Sequence, residues 1–164
     1  MTDLQLINLK RFKDERGFFE EFYKGSFPCP FVQDNHSYSR KGVIRGMHFQ
    51  ETPGQAKLVS VIQGRIYDVC VDIRRDSPTF GQWKGFFLDA EEPQQLFVPV
   101  GFAHGFAVLS DSAHVIYKVS TFYDPQTERG FRYDDPSVGI EWPVESPILS
   151  DKDRTAPAFA EVVR

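Results

Sequence analysis

The segment 42–50, which reads GVIRGMHFQ, contains the densest group of residues that could perform chemistry. His48 lies there between bulky apolar neighbours, so its imidazole is predicted to be at least partly enclosed. In a strand, Arg45 and Met47 would share one face and His48 would lie on the other. A bulge at Gly46 would shift that alternation. The imidazole could act as a general base, or it could be a core residue bonded to the backbone, and this segment alone favours neither interpretation.

Three further side chains could assist such a base. Lys57 begins the apolar run KLVSVI, where a lysine is usually solvated but, if it points inward, needs an anionic partner or a substrate oxyanion. Tyr117, in the run VIYKV, could be a packing residue or a general acid, since a phenol can donate a proton to a carbanion. Asp153, in the polar stretch LSDKD, becomes functional only if it folds back onto His48.

The segment 99–106, PVGFAHGF, has the PxGxxH pattern typical of a strand start in cupins, which are a form of the jelly roll. In metal-binding cupins the histidine of this pattern joins an HxH pair and a glutamate. The earlier motif here reads His48-Phe49-Gln50, so the second histidine is absent. One histidine from each motif is too few for a tight metal site. We therefore expect no metal and no other cofactor, which leaves His48 and His104 for other tasks.

Short β-rich runs separated by Gly and Pro must position these side chains. They cover residues 57–62, 65–73, 83–88, 95–98, 106–109 and 115–120. Gln63-Gly64, between the first two runs, is predicted to be a hairpin turn. A short helix is predicted over 148–154, with Ser150 as its N-cap. Together the pattern predicts an all-β fold, a jelly-roll sandwich or barrel of cupin type with a few short helices.

The length of 164 residues predicts a single domain over 1–164. The formal net charge of -4 provides no attraction to nucleic acid or to an anionic membrane. No apolar stretch approaches the roughly 20 residues that span a bilayer, and no secretory signal pattern is present, so we expect a cytoplasmic protein. Cys29 and Cys70 are predicted to be buried or half-buried thiols. His36 and His114 are predicted to be ordinary surface or loop residues.

The motifs, taken in order over residues 14–153, closely resemble the dTDP-4-dehydrorhamnose 3,5-epimerase family. Each motif is weak alone, but their order and spacing over most of the chain make the resemblance specific. The matching segments are DERGFF (14–19), FVQDN (31–35), RGMHFQ (45–50), KLV (57–59), DIR (72–74), SPTFG (77–81), GFAHGF (101–106), YK (117–118), DP (135–136), GIEWP (139–143) and KD (152–153).

The resemblance implies a role for each residue type. It makes His48 the base, Asp153 the carboxylate that orients it, Tyr117 the acid, and Lys57 the cation beside the developing enolate. It also implies substrate contacts at Arg16, Glu21, Gln33, Asp34, Asn35, Arg45, His104, Glu128 and Lys152. The chemistry fits these types, because an ammonium can stabilise an enolate electrostatically and a carboxylate can fix a histidine tautomer.

The implied substrate is a dTDP-4-keto-6-deoxy sugar, inverted at C3 and C5 on the way to rhamnose or another deoxysugar. The implied assembly is a homodimer with exchanged N-terminal strands, in which Arg16 serves the neighbouring site. Phe122 departs from the tyrosine often found at this position in the family, which weakens the expectation about nucleotide recognition. Three alternatives remain open: a relative that inverts only C3, a metal-dependent cupin oxygenase, and a non-catalytic sugar-binding module.

Overall fold

The computed structural model of the chain describes residues 1, 3–25 and 27–163. The strands are β1 Gln5–Asn8, β2 Arg11–Asp14, β3 Gly17–Glu20, β4 Gln33–Arg40, β5 Ile44–Gln50, β6 Lys57–Gln63, β7 Arg65–Asp72, β8 Trp83–Asp89, β9 Gln94–Val98, β10 Phe102–Val108, β11 Ser112–Val119 and β12 Glu128–Gly130. The helices are α1 Asp151–Arg154 and α2 Phe159–Val162. The predicted all-β fold with short helices is confirmed. Among the described residues, neither helix is long and apolar enough to cross a membrane.

Two antiparallel five-stranded sheets form a sandwich. Sheet 1 has the strand order β1-β9-β6-β11-β4, and sheet 2 has the order β12-β5-β10-β7-β8. Apolar residues at alternate positions of both sheets meet between them, as period-two patterning requires. Buried examples are Val59, Ile66, Leu96, Phe106 and Val115. Strands β2 and β3 form a separate hairpin outside the sandwich.

The predicted hairpin turn at Gln63-Gly64 is wrong. Strand β6 belongs to sheet 1 and β7 to sheet 2, so the chain crosses between the sheets here. Gly64 has a φ of +82°, and a Cβ at this position would lie 2.1 Å from the Ser112 carbonyl oxygen. Only glycine therefore fits this crossing. The sequence pattern indicated a turn correctly but could not indicate whether the two strands pair with each other.

A bulge in β5 places Arg45 and His48 on the same side of sheet 2. His48 lies opposite His104 of β10, but Arg45 lies opposite Phe106, so three steps along β5 match two along β10. Gly46 permits the bulge, because a Cβ there would approach the Gly105 Cα to 2.6 Å. Met47 then points away from the space between the sheets and is buried in a second apolar cluster on the other side of sheet 2, under α2.

The end of β7 is fixed by the buried carboxylate of Asp72. It accepts hydrogen bonds from the Arg74 side chain at 2.7 and 2.9 Å and from the hydroxyls of Ser77 and Thr79 at 2.6 Å each. Burial opposes ionisation, but these bonds outweigh it and hold the pKa of Asp72 well below its ordinary value. The ionised carboxylate therefore stabilises the turn that follows β7.

We predict that Asp72→Asn lowers the free energy of unfolding at pH 7 by about 3 kcal/mol, because hydrogen bonds to a buried charge are lost. Since the folded-state pKa is depressed, this stabilisation is present above the unfolded pKa of about 3.9 and is lost as pH falls below it. Urea unfolding between pH 7 and pH 3 should show the gap between wild type and variant narrowing. Asp76→Asn, an exposed change of equal charge, is the control. Equal effects of the two substitutions would contradict the prediction.

Candidate active site

Two adjoining cavities open between the sheets, with volumes of about 300 and 290 Å³. Both are lined by His48, Lys57 and Tyr117. His48 comes from sheet 2, whereas Lys57 and Tyr117 come from neighbouring strands of sheet 1. The three side chains therefore meet from opposite walls of the sandwich, and a ligand that fills both cavities must pass between them.

His48 forms a dyad with Asp153. Its Nε2 lies 2.6 Å from Asp153 Oδ1, although the two residues are 105 positions apart. The α1 helix brings Asp153 to this position. Ser150 caps α1 as predicted, and its hydroxyl accepts a hydrogen bond from the Asp153 amide at 3.1 Å. The helix begins at Asp151 and not at residue 148, because the cap residue itself has an extended backbone. If Nε2 carries the hydrogen and donates a hydrogen bond to Asp153, Nδ1 of the neutral ring can accept a proton from a ligand.

The Asp153 carboxylate is ionised at neutral pH. Its side chain is only 5% exposed, and this burial raises the pKa. The hydrogen bond and charge of His48, with a further bond from the Gly46 amide, outweigh burial and bring the pKa below its ordinary value. A negative charge is therefore held against the imidazole, where it would stabilise the protonated ring.

Lys57 is a buried cation at the start of β6, only 8% exposed. Within residues 1, 3–25 and 27–163 its ammonium has no hydrogen-bond or ion-pair partner in the protein. Burial lowers its pKa to about 8, although the nearby Asp68 and Glu128 carboxylates oppose the change. At pH 7 the group is mostly charged, and it faces both cavities with its charge available to a ligand.

Tyr117 lies on β11 opposite Val59, two positions along β6 from Lys57. Burial raises its pKa above the ordinary value, with Glu128 adding to this effect and Arg45 opposing it. The phenol is therefore protonated at neutral pH. It can act as a proton donor on the wall that faces His48.

His104 forms a second buried dyad, with its Nε2 2.8 Å from Asp68 Oδ2. Burial lowers the pKa of His104 despite the attraction of Asp68, so the ring in the second cavity is neutral at pH 7. The sequence interpretation missed Asp68. A charged residue at an inward position of the alternating run 65–73 is the signal that could have identified it.

Six of the nine predicted substrate contacts line the cavities: Gln33, Asn35, Arg45, His104, Glu128 and Lys152. Glu128 accepts hydrogen bonds from Lys152 at 2.5 Å and from the hydroxyl of Tyr123, which was not predicted, at 2.8 Å. Burial raises the pKa of Glu128, but these bonds outweigh it and the pKa lies below its ordinary value. The carboxylate is therefore ionised at the boundary of the first cavity.

The other three predicted contacts lie elsewhere. Asp34 is on the outer face of β4 and pairs with Lys118, and Glu21 pairs with Lys24. Arg16, at the tip of the β2–β3 hairpin, is 85% exposed and pairs with Asp14. The residues His36 and His114, predicted to be at the surface, lie on strands there, with ring nitrogens 2.9 Å apart.

The described part of the chain contains no group of three or more His, Cys, Asp or Glu side chains that could hold a metal ion together. The two histidines that face the cavities each bond to a separate carboxylate. The donor set of a metal-binding cupin is thus not assembled in these residues.

The sequence model of the family described as dTDP-4-dehydrorhamnose 3,5-epimerase matches residues 1–161. The chain belongs to this family. A dTDP-4-dehydrorhamnose 3,5-epimerase from Shigella flexneri is 50% identical over 169 residues, which cover 98% of this chain and 93% of that protein. The resemblance inferred from the motifs is confirmed, and the epimerase family consists of isomerases.

Solved structures agree with the cupin-type jelly roll. The crystal structure of dTDP-6-deoxy-D-glucose-3,5-epimerase from Legionella pneumophila, in complex with dTDP-4-keto-L-rhamnose, has a TM-score of 0.95 and 45% identity, and the match covers 99% of this epimerase and 90% of that chain. The 3'-monoepimerase ChmJ from Streptomyces bikiniensis, in complex with dTDP-quinovose, has a TM-score of 0.90 and 36% identity, covering 96% and 84%.

We predict that Lys57→Met raises the free energy of unfolding at pH 7 by about 3 kcal/mol, because it removes the cost of burying an unpaired ammonium. The folded-state pKa of about 8 lies below the ordinary 10.5. Between these pH values the unfolded chain keeps a proton that the folded protein has lost, so the stability of wild type rises with pH. The difference in the free energy of unfolding between Lys57→Met and wild type therefore becomes smaller. Urea unfolding at pH 7 and pH 10.5 measures this. Lys41→Met, at an exposed position, is the control. A difference between Lys57→Met and wild type that stays the same at both pH values would contradict the prediction.

Proposed function

We propose that this epimerase inverts C3 and C5 of dTDP-4-dehydro-6-deoxy-D-glucose to give dTDP-4-dehydro-L-rhamnose. The observation that carries the proposal is the placement of the His48–Asp153 dyad across a shared cavity from Tyr117, with the Lys57 ammonium beside them. Family membership supplies the substrate class, and the geometry supplies the groups that the reaction needs.

His48 acts as the base. Hydrogens on C3 and C5 are both adjacent to the C4 ketone, so removal of either one gives an enolate whose charge lies on the same oxygen. The unpaired Lys57 ammonium is the group available to that oxygen, and in a buried site such a charge stabilises the enolate far more than it would in water. Asp153 stabilises the imidazolium that forms as His48 takes the proton.

Tyr117 acts as the acid. Inversion requires that the new proton reach the carbon from the face opposite the one that lost it. His48 projects from sheet 2 and Tyr117 from sheet 1, so the flat enolate lies between donor and acceptor. The raised pKa of Tyr117 keeps the phenol protonated until the carbanion accepts its proton.

The nucleotide extends into the first cavity. Its wall carries the amides of Gln33 and Asn35 and the ring of Tyr123, which suit a pyrimidine base and its stacking. Arg45 and Lys152 line the second cavity and can hold the diphosphate by charge-assisted hydrogen bonds. The solved 3,5-epimerase from Legionella pneumophila is 45% identical to this chain and the 3'-monoepimerase 36%, which favours inversion at both carbons over inversion at C3 alone.

The reaction predicts deuterium incorporation at C3 and C5 when the substrate is incubated with the protein in deuterated buffer containing a chelator, followed by proton NMR. His48→Ala should lower exchange at both carbons by about 1,000-fold, because the proposal assigns the removal of both protons to this one imidazole. Tyr117→Phe, the matched control, should retain more exchange than His48→Ala while inversion is impaired. Exchange at C3 alone would identify a 3-epimerase, and near-wild-type exchange by His48→Ala would remove it as the base.

The β2–β3 hairpin supports a homodimer with exchanged N-terminal strands. It leaves sheet 1 after Asn8, which pairs with Gln94, whereas Lys57 at the cavity pairs with Val98 at the other end of β9. The hairpin exposes apolar rings, with Phe18 57% and Phe19 67% exposed. Arg16 does not line either cavity of its own chain, and in the proposed dimer a two-fold partner would bring it to the neighbouring one.

Cross-complementation tests this exchange. Arg16→Ala and His48→Ala should each be weakly active alone, but refolding an equal mixture should restore about one quarter of wild-type activity. Half of the dimers are then mixed, and one of their two sites has both an intact His48 and an intact Arg16 from the partner. If Arg16 serves its own chain, mixing restores nothing. A mixture of His48→Ala and Asp153→Asn, which both affect the same chain's site, controls for stabilisation by mixing.

A further inference from the structure

The side-chain oxygen of Ser37 is buried and has no hydrogen-bond partner among the described residues. The residue lies in the middle of β4 and lines the second cavity. A hydroxyl removed from water without a partner costs free energy, so such groups are rare in folded proteins and require an explanation. Since this hydroxyl borders the cavity in which the reaction is proposed to occur, a bound ligand can supply the partner.

The neighbours of Ser37 on the inward face of β4 already have partners. Gln33 donates to Asn35 at 2.7 Å, and Ser39 accepts from Arg45 Nε at 2.9 Å. Asn35 lies opposite Tyr117, and Ser37 lies opposite Val115, one inward position further along the strand. The free hydroxyl is thus on the wall that carries the proposed acid, two residues along β4 from the position opposite Tyr117.

The surroundings favour a neutral ligand group at Ser37. Three cations line the same cavity, and none of them bonds to Ser37. Arg45 bonds to Ser39 and to the Tyr38 carbonyl at 3.2 Å, Lys152 pairs with Glu128, and Lys57 is the group proposed for the enolate oxygen. The ring of His104 is neutral, and Phe106 adds an apolar wall. A serine hydroxyl can both donate and accept, which matches a sugar hydroxyl.

We propose that Ser37 hydrogen-bonds the C2 hydroxyl of the sugar ring and makes the enzyme selective for sugars that carry it. This inference rests on the proposed epimerase function. C3 and C5 change configuration during the reaction, whereas C2 does not. A hydroxyl on a rigid strand can therefore hold the C2 hydroxyl before and after each inversion, and it orients the ring between His48 and Tyr117.

The test uses Ser37→Ala and a buried control, Ser60→Ala, whose hydroxyl accepts from Gln95 away from the cavity. Ser37→Ala removes no hydrogen bond within the protein and relieves the cost of an unpartnered hydroxyl, so its urea midpoint should equal or exceed that of wild type. Its kcat/KM for dTDP-4-dehydro-6-deoxy-D-glucose should fall about 10- to 100-fold. Ser60→Ala should show the reverse, with a lower urea midpoint and unchanged kcat/KM.

Two probes identify the ligand group. Wild type should prefer the substrate over its 2-deoxy analogue by about 10- to 100-fold, and Ser37→Ala should lose that preference. The affinity of Ser37→Ala for dTDP alone, which has the diphosphate but no 4-keto sugar, should equal that of wild type. A loss of dTDP affinity as large as the loss of kcat/KM would assign Ser37 to the diphosphate. A preference for the substrate over its 2-deoxy analogue that Ser37→Ala retains would exclude the C2 contact. Either result overturns the inference but leaves the epimerase function standing, whereas an inactive wild-type protein overturns both.

Discussion

The site depends on the hydrogen bond between His48 and Asp153, which joins sheet 2 to a helix of four residues near the end of the chain. Three features converge on this bond: the bulge at Gly46 sets the side of β5 on which the imidazole lies, Ser150 caps the helix, and the Gly46 amide also bonds to the carboxylate. Without these partners, burial would raise the pKa of the Asp153 carboxylate and disfavour its charged form. Packing, capping and acid–base chemistry are thus linked through one contact.

The sandwich divides the chemistry between its two sheets. Sheet 2 carries His48, and sheet 1 carries Lys57 and Tyr117. A flat ligand between the sheets meets a different group on each face, which is the arrangement that an inversion needs. Lys57 has no directly bonded partner among the described residues: a carboxylate within hydrogen-bond distance would lower the cost of burial but would neutralise the charge that the enolate requires.

Much of the fold could be predicted from the sequence, because strands with one buried face show a period of two. The run 65–73 alternates in this way, the run 57–62 is rich in β-branched residues, and both form strands. Strand β4 was harder to identify, since its inward residues Gln33, Asn35 and Ser37 are polar because they border the cavity. The pattern could not predict that β6 and β7 belong to different sheets, because a glycine turn has the same sequence signal within one sheet or between two.

The functional site, like the fold, could be predicted from the sequence only in part. The types of residue that perform the chemistry were recognisable from motifs, but the meeting of Asp153 with His48 depends on tertiary folding over 105 positions. Asp68 was missed because its partner His104 comes from another strand.

The charge of Lys57, which no carboxylate of the described residues bonds directly, also bears on inhibition. A buried cation without a directly bonded counter-ion favours any small planar anion that fits the cavity, and water screens this attraction poorly. A stable molecule with a fixed oxyanion on a flattened ring would bind this charge without undergoing proton transfer. Compounds of that shape are therefore better starting points for inhibitors than neutral sugar analogues, which leave the ammonium unpaired.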